Sequence, residues 1–286
     1  MTADFNAAPL LGNDWSTQPG ARPDVIDLIG PWFDRPRGEP VKKTLIICAA
    51  PRTGSYELAR LLTAAGIGIP HEYFSPTYAP VVASRWGLTP SVLSESQIEN
   101  YILELRCRRS AGGVFATKLQ HWQYRTSLCN KHGKALFRDA VVVHLFRSDV
   151  VRQFVSWYRA IETGRYDFSD RATRPPRDPA SLLNQRNLLE MADFLVAEDA
   201  GFRRLFILAK IRPIFVEFDQ FTQDPRSTVQ GIGQMLAVPV NDNGLNRALE
   251  VSAPYQGGPA VDQDREEVLS GIFGSLAFDS LRLTLR

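Results

Sequence analysis

The chain has 286 residues, 44% of them hydrophobic and 22% charged, with a formal net charge of +2. That length suits one domain with a sizeable core, and so small a charge gives no argument for a nucleic-acid partner. No stretch approaches eighteen uninterrupted apolar residues, so no membrane span is expected, and the opening MTADFNAAPLLGNDW lacks the basic start and apolar run of a signal peptide. Cys48, Cys107 and Cys129 are an odd number without metal-ligand spacing. They read as reduced thiols of a cytoplasmic protein, and no metal is expected.

Residues 1–40, rich in Pro, Gly and Asp with scattered aromatics such as Trp15 and Trp32, read as a partly irregular arm, and residues 41–286 as a single domain. Thr44 to Ala50 (TLIICAA) is a continuous apolar run, the pattern of a strand buried on both faces. Leu58, Leu61, Leu62 and Ala65 then fall at helical spacing, with Gly66 as a stop. Phe74 to Ser96, with three prolines, reads as a loop or lid. Further strands are expected at Gly113–Leu119 and Ala140–Phe146, and a helix from about Asp149 with Val151, Phe154, Val155 and Tyr158 on one face. Arg165 to Pro179 packs four arginines with three prolines, which is either a solvated surface or a basic flap over an anion. Residues 181–210 read as helix, Pro213 to Phe218 as a strand and Pro225 to Leu236 as a helix. Buried strands alternating with helices predict an α/β fold with a central parallel sheet flanked by helices.

In an open parallel sheet, ligands bind beyond the carboxyl ends of the strands. The loop after the first strand is Pro51-Arg52-Thr53-Gly54-Ser55, leading into a helix whose first amides have no partners and whose dipole favours an anion. Gly54 lets the backbone approach a phosphate, Thr53 and Ser55 add hydroxyls, and Arg52 adds a charged fork. The loop is not a Walker A motif, because the first glycine and the lysine are missing. A plain helix cap with no ligand stays open on this segment alone. Further on, the strand ending at Phe146 delivers Arg147, and the following helix carries Ser156 about two turns on. That pair suits a second phosphate; the alternative is an Asp149 helix cap with Arg147 in a surface pair.

An apolar strand, P-R-[ST]-G-S and a helix, followed about a hundred residues later by a strand, an arginine and a helical serine, resembles the sulfotransferases that use 3′-phosphoadenosine 5′-phosphosulfate (PAPS). More closely, Ile47 to Leu62, Gly68 to Phe74 (GIPHEYF), Gly113 to Leu119 (GVFATKL) and His144 to Glu162 (HLFRSDVVRQFVSWYRAIE) are similar to the bacterial carbohydrate sulfotransferases typified by trehalose 2-sulfotransferase and related to the nodulation-factor enzymes. The resemblance covers roughly residues 43–240. It implies a P-loop-like sulfotransferase fold and transfer of a sulfuryl group from PAPS to a hydroxyl of a carbohydrate or glycolipid, with adenosine 3′,5′-bisphosphate as the other product. Two departures stand out. Tyr56 replaces a second small hydroxyl residue in the loop, and Gln120-His121-Trp122 replaces Met-Trp after Lys118-Leu119.

The resemblance implies that Arg52, Thr53, Gly54, Ser55 and Tyr56 hold the phosphosulfate, and that Arg147 and Ser156 hold the 3′-phosphate. It makes Glu72 the general base that takes the acceptor proton, best served by a pKa raised through partial burial. Arg52 is expected to stabilise charge on the departing oxygen, since a guanidinium does not give up its proton. His71 is the rival base, and His71, Lys118 and Trp122 are candidates for contacting the acceptor. His144, inside an apolar strand, reads as a core histidine; Trp86 could stack on a ligand or simply pack. A non-catalytic nucleotide-binding relative stays open through Tyr56, and a small-molecule kinase would need a Walker lysine that is not evident. No nucleic-acid partner is expected, and the resemblance allows a homodimer.

Overall fold

The central strand β1 (Lys43–Ala49) explains the architecture, because every residue after Lys43 is buried. The computed structural model describes residues 28–38, 41, 43–88, 95–163 and 185–252. Side chains alternate across a strand, so Leu45, Ile47 and Ala49 face one apolar layer while Ile46 and Cys48 face another. The first layer is closed by α1 (Ser55–Ala64), α9 (Pro225–Leu236) and α10 (Asp242–Ser252), through Leu58, Leu61, Val229, Ile232 and Leu245. The second is closed by α2 (Ala79–Ser84), α3 (Glu95–Arg108), α5 (Lys131–Arg138) and α7 (Gln185–Ala209), through Val82, Tyr101, Leu136 and Phe202. Each fully buried Leu, Ile or Phe contributes about 1.5–3 kcal/mol, so this two-sided burial is the main stabilising term.

Among the described residues the sheet has five strands in the order β2-β3-β1-β4-β5, completed by β2 (Ser110–Ala111), β3 (Val114–Leu119), β4 (Ala140–Phe146) and β5 (Ile214–Glu217). Only the β2–β3 pairing is antiparallel. The register pairs Cys48 with Leu119, Ala49 with Leu145 and Phe146 with Glu217, so four parallel strands end along one edge. The chain runs from β1 to β3 on one side and later places β4 on the other. That reversal opens a crevice beyond the end of β1, where open α/β sheets bind ligands.

On the described residues the expected elements are present, with their ends shifted by a residue or two; residues 181–184 of the helix expected over 181–210 lie outside them. Phe218 starts the short α8 (Phe218–Gln223) instead of closing β5. The stretch expected to be a loop or lid, Phe74 to Ser96, is different. It carries α2, with a proline in its first turn, and the start of α3, and Phe74, Ala79, Val82 and Ala83 are core residues. Proline is compatible with the first turn of a helix, so it opens α2 instead of interrupting it. Residues 89–94 and the Arg165–Pro179 segment lie outside the described residues, as does most of the N-terminal arm.

The arm's described end, residues 28–38, is tied to the domain by one buried cation. Arg109, fully buried, pairs with Asp34 at 3.0 Å, and donates to the Tyr73 hydroxyl at 2.9 Å, to the Gly30 carbonyl at 3.0 Å and to the Leu28 carbonyl. Trp86 also serves this anchor: its indole donates to Asp34 at 3.1 Å and its ring lies against Tyr101. His144 is a core residue as expected, bonded to Asp199 at 2.8 Å and ringed by Phe146, Phe202, Phe206 and Phe215. Among the described residues no helix is long and apolar enough to cross a membrane.

Candidate active site

The loop from Ala50 to Gly54 turns sharply off β1, and its backbone is unusual at two positions. Gly54 has φ of 78° and caps α1, and Arg52 has φ of 65°, a left-handed conformation that few non-glycine residues adopt. A Cβ on Gly54 would stand 2.9 Å from the Phe218 ring, so glycine is required by space as well as by dihedral. The turn is held from within and from α6 (Val150–Thr163). The Thr53 hydroxyl donates to the Ala50 carbonyl at 2.9 Å, and the Gln153 amide donates to the Pro51 carbonyl at 2.6 Å. Thr53 is therefore a buried brace of the loop, and its hydroxyl is already engaged. Ser55 opens α1 beside it, half-buried.

Two residues 104 apart in sequence meet directly here: Arg52 Nε donates to Ser156 Oγ at 3.0 Å. Arg147 leaves the end of β4 and stacks its guanidinium on the Phe218 ring, 4.3 Å from the centroid. Its Nε is buried without a hydrogen-bond partner, and burial lowers the guanidinium's pKa against the pull of Asp219 and Asp149. A buried, unpartnered guanidinium donor at the carboxyl edge of a parallel sheet suits an anionic oxygen. Asp149 caps α6 by accepting from the Arg152 amide at 2.8 Å, as its sequence position suggests.

Across the crevice lies Glu72, whose carboxylate is fully engaged by donors. Lys118 Nζ is 3.1 Å from Oε1, and Gln123 and Gln120 donate their side-chain amides to Oε2 at 2.6 and 3.2 Å. Burial pushes the pKa of Glu72 up, but Lys118 and the Gln123 hydrogen bond outweigh it, and the carboxyl sits below its ordinary value. Burial alone would give Glu72 the raised pKa that suits a base best, but the same burial brings a cation and two amide donors that pull it down.

His71 is buried (7% exposed), and its ring lies edge-on to Tyr78 at 4.6 Å. Burial first, then Lys118, lowers its pKa to about 3, so the imidazole is neutral and weakly basic, with Nδ1 unpartnered. Its carbonyl accepts from the Lys118 amide at 2.9 Å and from the Thr117 hydroxyl at 3.2 Å, which stitches the Glu72 segment to β3. Lys118 itself stands between the two halves, 3.1 Å from Glu72 and 5.4 Å from the centre of the Tyr56 ring on α1. Trp122 donates from its indole to Gln120 Oε1 at 2.8 Å, and so reaches Glu72 through Gln120.

The residues singled out from sequence thus meet, Arg52 with Ser156, Tyr56 with Lys118 and Lys118 with Glu72 directly, and Trp122 with Glu72 by way of Gln120. Ser156, expected to share a phosphate with Arg147, accepts its hydrogen bond from Arg52. Sequence reasoning missed Gln123, Gln153, Phe218 and Glu198, and met Gln120 only as a departure from the family pattern. Glu198 carried a visible signal, because it falls at i+4 spacing between Phe194 and Phe202 on the buried stripe of α7. Among the described residues no cluster of three or more His, Cys, Asp or Glu could hold a metal ion.

A family model described as Stf0 sulphotransferase matches residues 44–252, which contain every site residue named above. Trehalose 2-sulfotransferase from Mycolicibacterium smegmatis is 24% identical, with 66% of this chain and 84% of that relative covered. The chain belongs to the Stf0 sulphotransferase family and is a sulfotransferase.

Proposed function

We propose that this enzyme transfers the sulfuryl group of PAPS to a hydroxyl of a carbohydrate or glycolipid acceptor and releases adenosine 3′,5′-bisphosphate. The observation that carries the reading is Lys118, which touches both the helix after the anion-binding loop and the carboxylate across the crevice. Donor and acceptor chemistry then meet at one cation. The fit to the donor rests on Arg147, whose buried Nε lacks a partner, and on the Gly54 turn at the start of α1.

PAPS supplies a sulfur that the acceptor oxygen attacks as the bond to the bridging phosphate oxygen breaks. Each residue has a defined part in this. Glu72 takes the acceptor proton; held ionised by Lys118, Gln120 and Gln123, it is ready to accept at neutral pH. Arg52, oriented by Ser156, and the first amides of α1 meet the charge that builds on the bridging oxygen. Arg147 binds the 3′-phosphate against Phe218. Thr53 and Gln153 keep the loop in its strained shape. Trp122 and His71 line the acceptor side. The carbohydrate class follows the relative's named activity. The free thiols of Cys48, Cys107 and Cys129 fit a reducing compartment.

The test is turnover of sulfur-labelled PAPS against a panel of sugars, glycolipids and small phenols in the presence of a chelator. The reading expects a sulfated sugar product and no need for a divalent cation. Activity that vanishes with the chelator and returns with magnesium, or product only from phenols, would sink it.

A further inference from the structure

We infer that Glu198 is a positioning residue for the reaction: through the Gln120–Gln123 turn it sets the two glutamine amides that hold Glu72. The inference rests on the reading of Glu72 as the base. Glu198 lies on α7 with 3% of its surface exposed, in a stripe otherwise formed by Phe194, Phe202 and Phe206. A carboxyl so placed is costly unless its oxygens are satisfied. Both are satisfied by backbone: Oε2 accepts from the His121 amide at 2.6 Å and Oε1 from the Trp122 amide at 2.8 Å. These are the first two amides of the single-turn α4 (His121–Gln123) that follows β3.

The rest of the turn converts that grip into the orientation of Glu72. With His121 and Trp122 pinned, the Gln120 amide donates to Gln123 Oε1 at 3.1 Å and the Trp122 indole donates to Gln120 Oε1 at 2.8 Å. Each glutamine must turn its oxygen toward an N–H donor, which leaves only its NH₂ group for Glu72 Oε2. One turn beyond Glu198, Gly201 lets α7 come close enough for this contact, because a Cβ there would run into the His121 imidazole. Burial raises the Glu198 pKa to about 8 even though the Trp122 and His121 amides pull it back, with Glu72 raising and Arg125 lowering it. The groups acting on Glu72 are Lys118 and His71 in addition to the two amides. An apolar residue on α7 would fill the space without this cost, so the carboxyl is retained for what it holds.

The experiment uses the full chain with Glu198→Gln and, separately, Gly201→Ala, which disturbs the turn while leaving Glu198 in place. The titration of Glu72 is followed by NMR of carbon-13-labelled glutamate carboxyls, assigned by the signal lost in Glu72→Gln. Adenosine 3′,5′-bisphosphate affinity is measured on the same samples. The expected result in both variants is an upward move of the Glu72 midpoint with nucleotide affinity unchanged. A kcat reduced roughly 10- to 100-fold at unchanged donor KM should accompany it. An unmoved Glu72 midpoint in both variants overturns the inference, as does an equal loss of nucleotide affinity, which would mean general loosening of the fold. A moved midpoint with unchanged turnover would uphold Glu198 as the holder of Glu72 and count instead against Glu72 as the base.

Discussion

The two sides of the crevice solve opposite electrostatic problems. The donor side, formed by the Arg52–Gly54 turn, Arg147 and Ser156, gathers cations and backbone amides. One guanidinium there rests on the Phe218 ring with a buried Nε unpartnered. The acceptor side gathers donors around a single carboxylate until Glu72 has three of them. A cradle for an incoming anion keeps donor capacity in reserve, because desolvated donors bind an oxygen most strongly when no protein group already fills them. A carboxylate that must stay ionised in a buried place needs its donors present beforehand. Lys118 belongs to both arrangements, which explains why a lysine sits at the buried end of β3.

The largest effect that could break this division is at Glu72. Glu72→Gln keeps the shape and removes the proton acceptor, so turnover should fall roughly 10²–10⁴-fold while adenosine 3′,5′-bisphosphate affinity holds. His71→Ala should lose far less, because the ring packs against Tyr78 and the brace to β3 comes from the His71 carbonyl, which alanine keeps. If His71→Ala is dead and Glu72→Gln turns over normally, the base has been given to the wrong neighbour. Arg147→Met tests the donor side. It should weaken adenosine 3′,5′-bisphosphate by about 1.5–3 kcal/mol, the worth of a charge-assisted contact, and leave AMP unchanged. Equal weakening of both nucleotides would show that Arg147 does not read the 3′-phosphate.

The sequence revealed the donor side more fully than the acceptor side. Arg52, Gly54, Arg147 and Ser156 follow the ends of apolar strands, where pattern and chain direction together place them at the ligand edge. The acceptor side depends on tertiary neighbours that no local pattern announces. Gln123 reaches Glu72 across 51 residues, and Glu198 reaches His121 across 77. The same blindness covers the pKa of Glu72, since a local pattern can suggest burial but not the donors that come with it. Phe74 to Ser96 was misread because its prolines were weighed as helix breakers, although one of them lies in the first turn of α2.

Smaller effects sharpen the contrast. Gly54→Ala places a Cβ against Phe218 in a left-handed backbone, and should destabilise the fold by roughly 1–2 kcal/mol while weakening nucleotide binding. Denaturant titration with and without adenosine 3′,5′-bisphosphate would check it; stability unchanged and binding intact would show that the turn is not strained as described. Glu198 gives the subtlest test. Its carboxyl moves from an ordinary 4.5 to about 8 in the folded chain, so between those values the native state holds a proton that the unfolded state has lost. Stability contributed by that proton falls as pH rises from 4.5 to 8. Glu198→Gln should flatten this slope in unfolding experiments across that range, and an unaltered slope would mean that Glu198 ionises normally.

The edge beyond β1 and β4 is proposed to take a nucleotide carrying both a 5′-phosphosulfate and a 3′-phosphate. Calorimetric titration of the unmodified protein with adenosine 3′,5′-bisphosphate and with AMP measures this directly. The bisphosphate should bind more tightly by about 1.5–3 kcal/mol, with the difference lost in Arg147→Met. Equal affinity for the two nucleotides would contradict it.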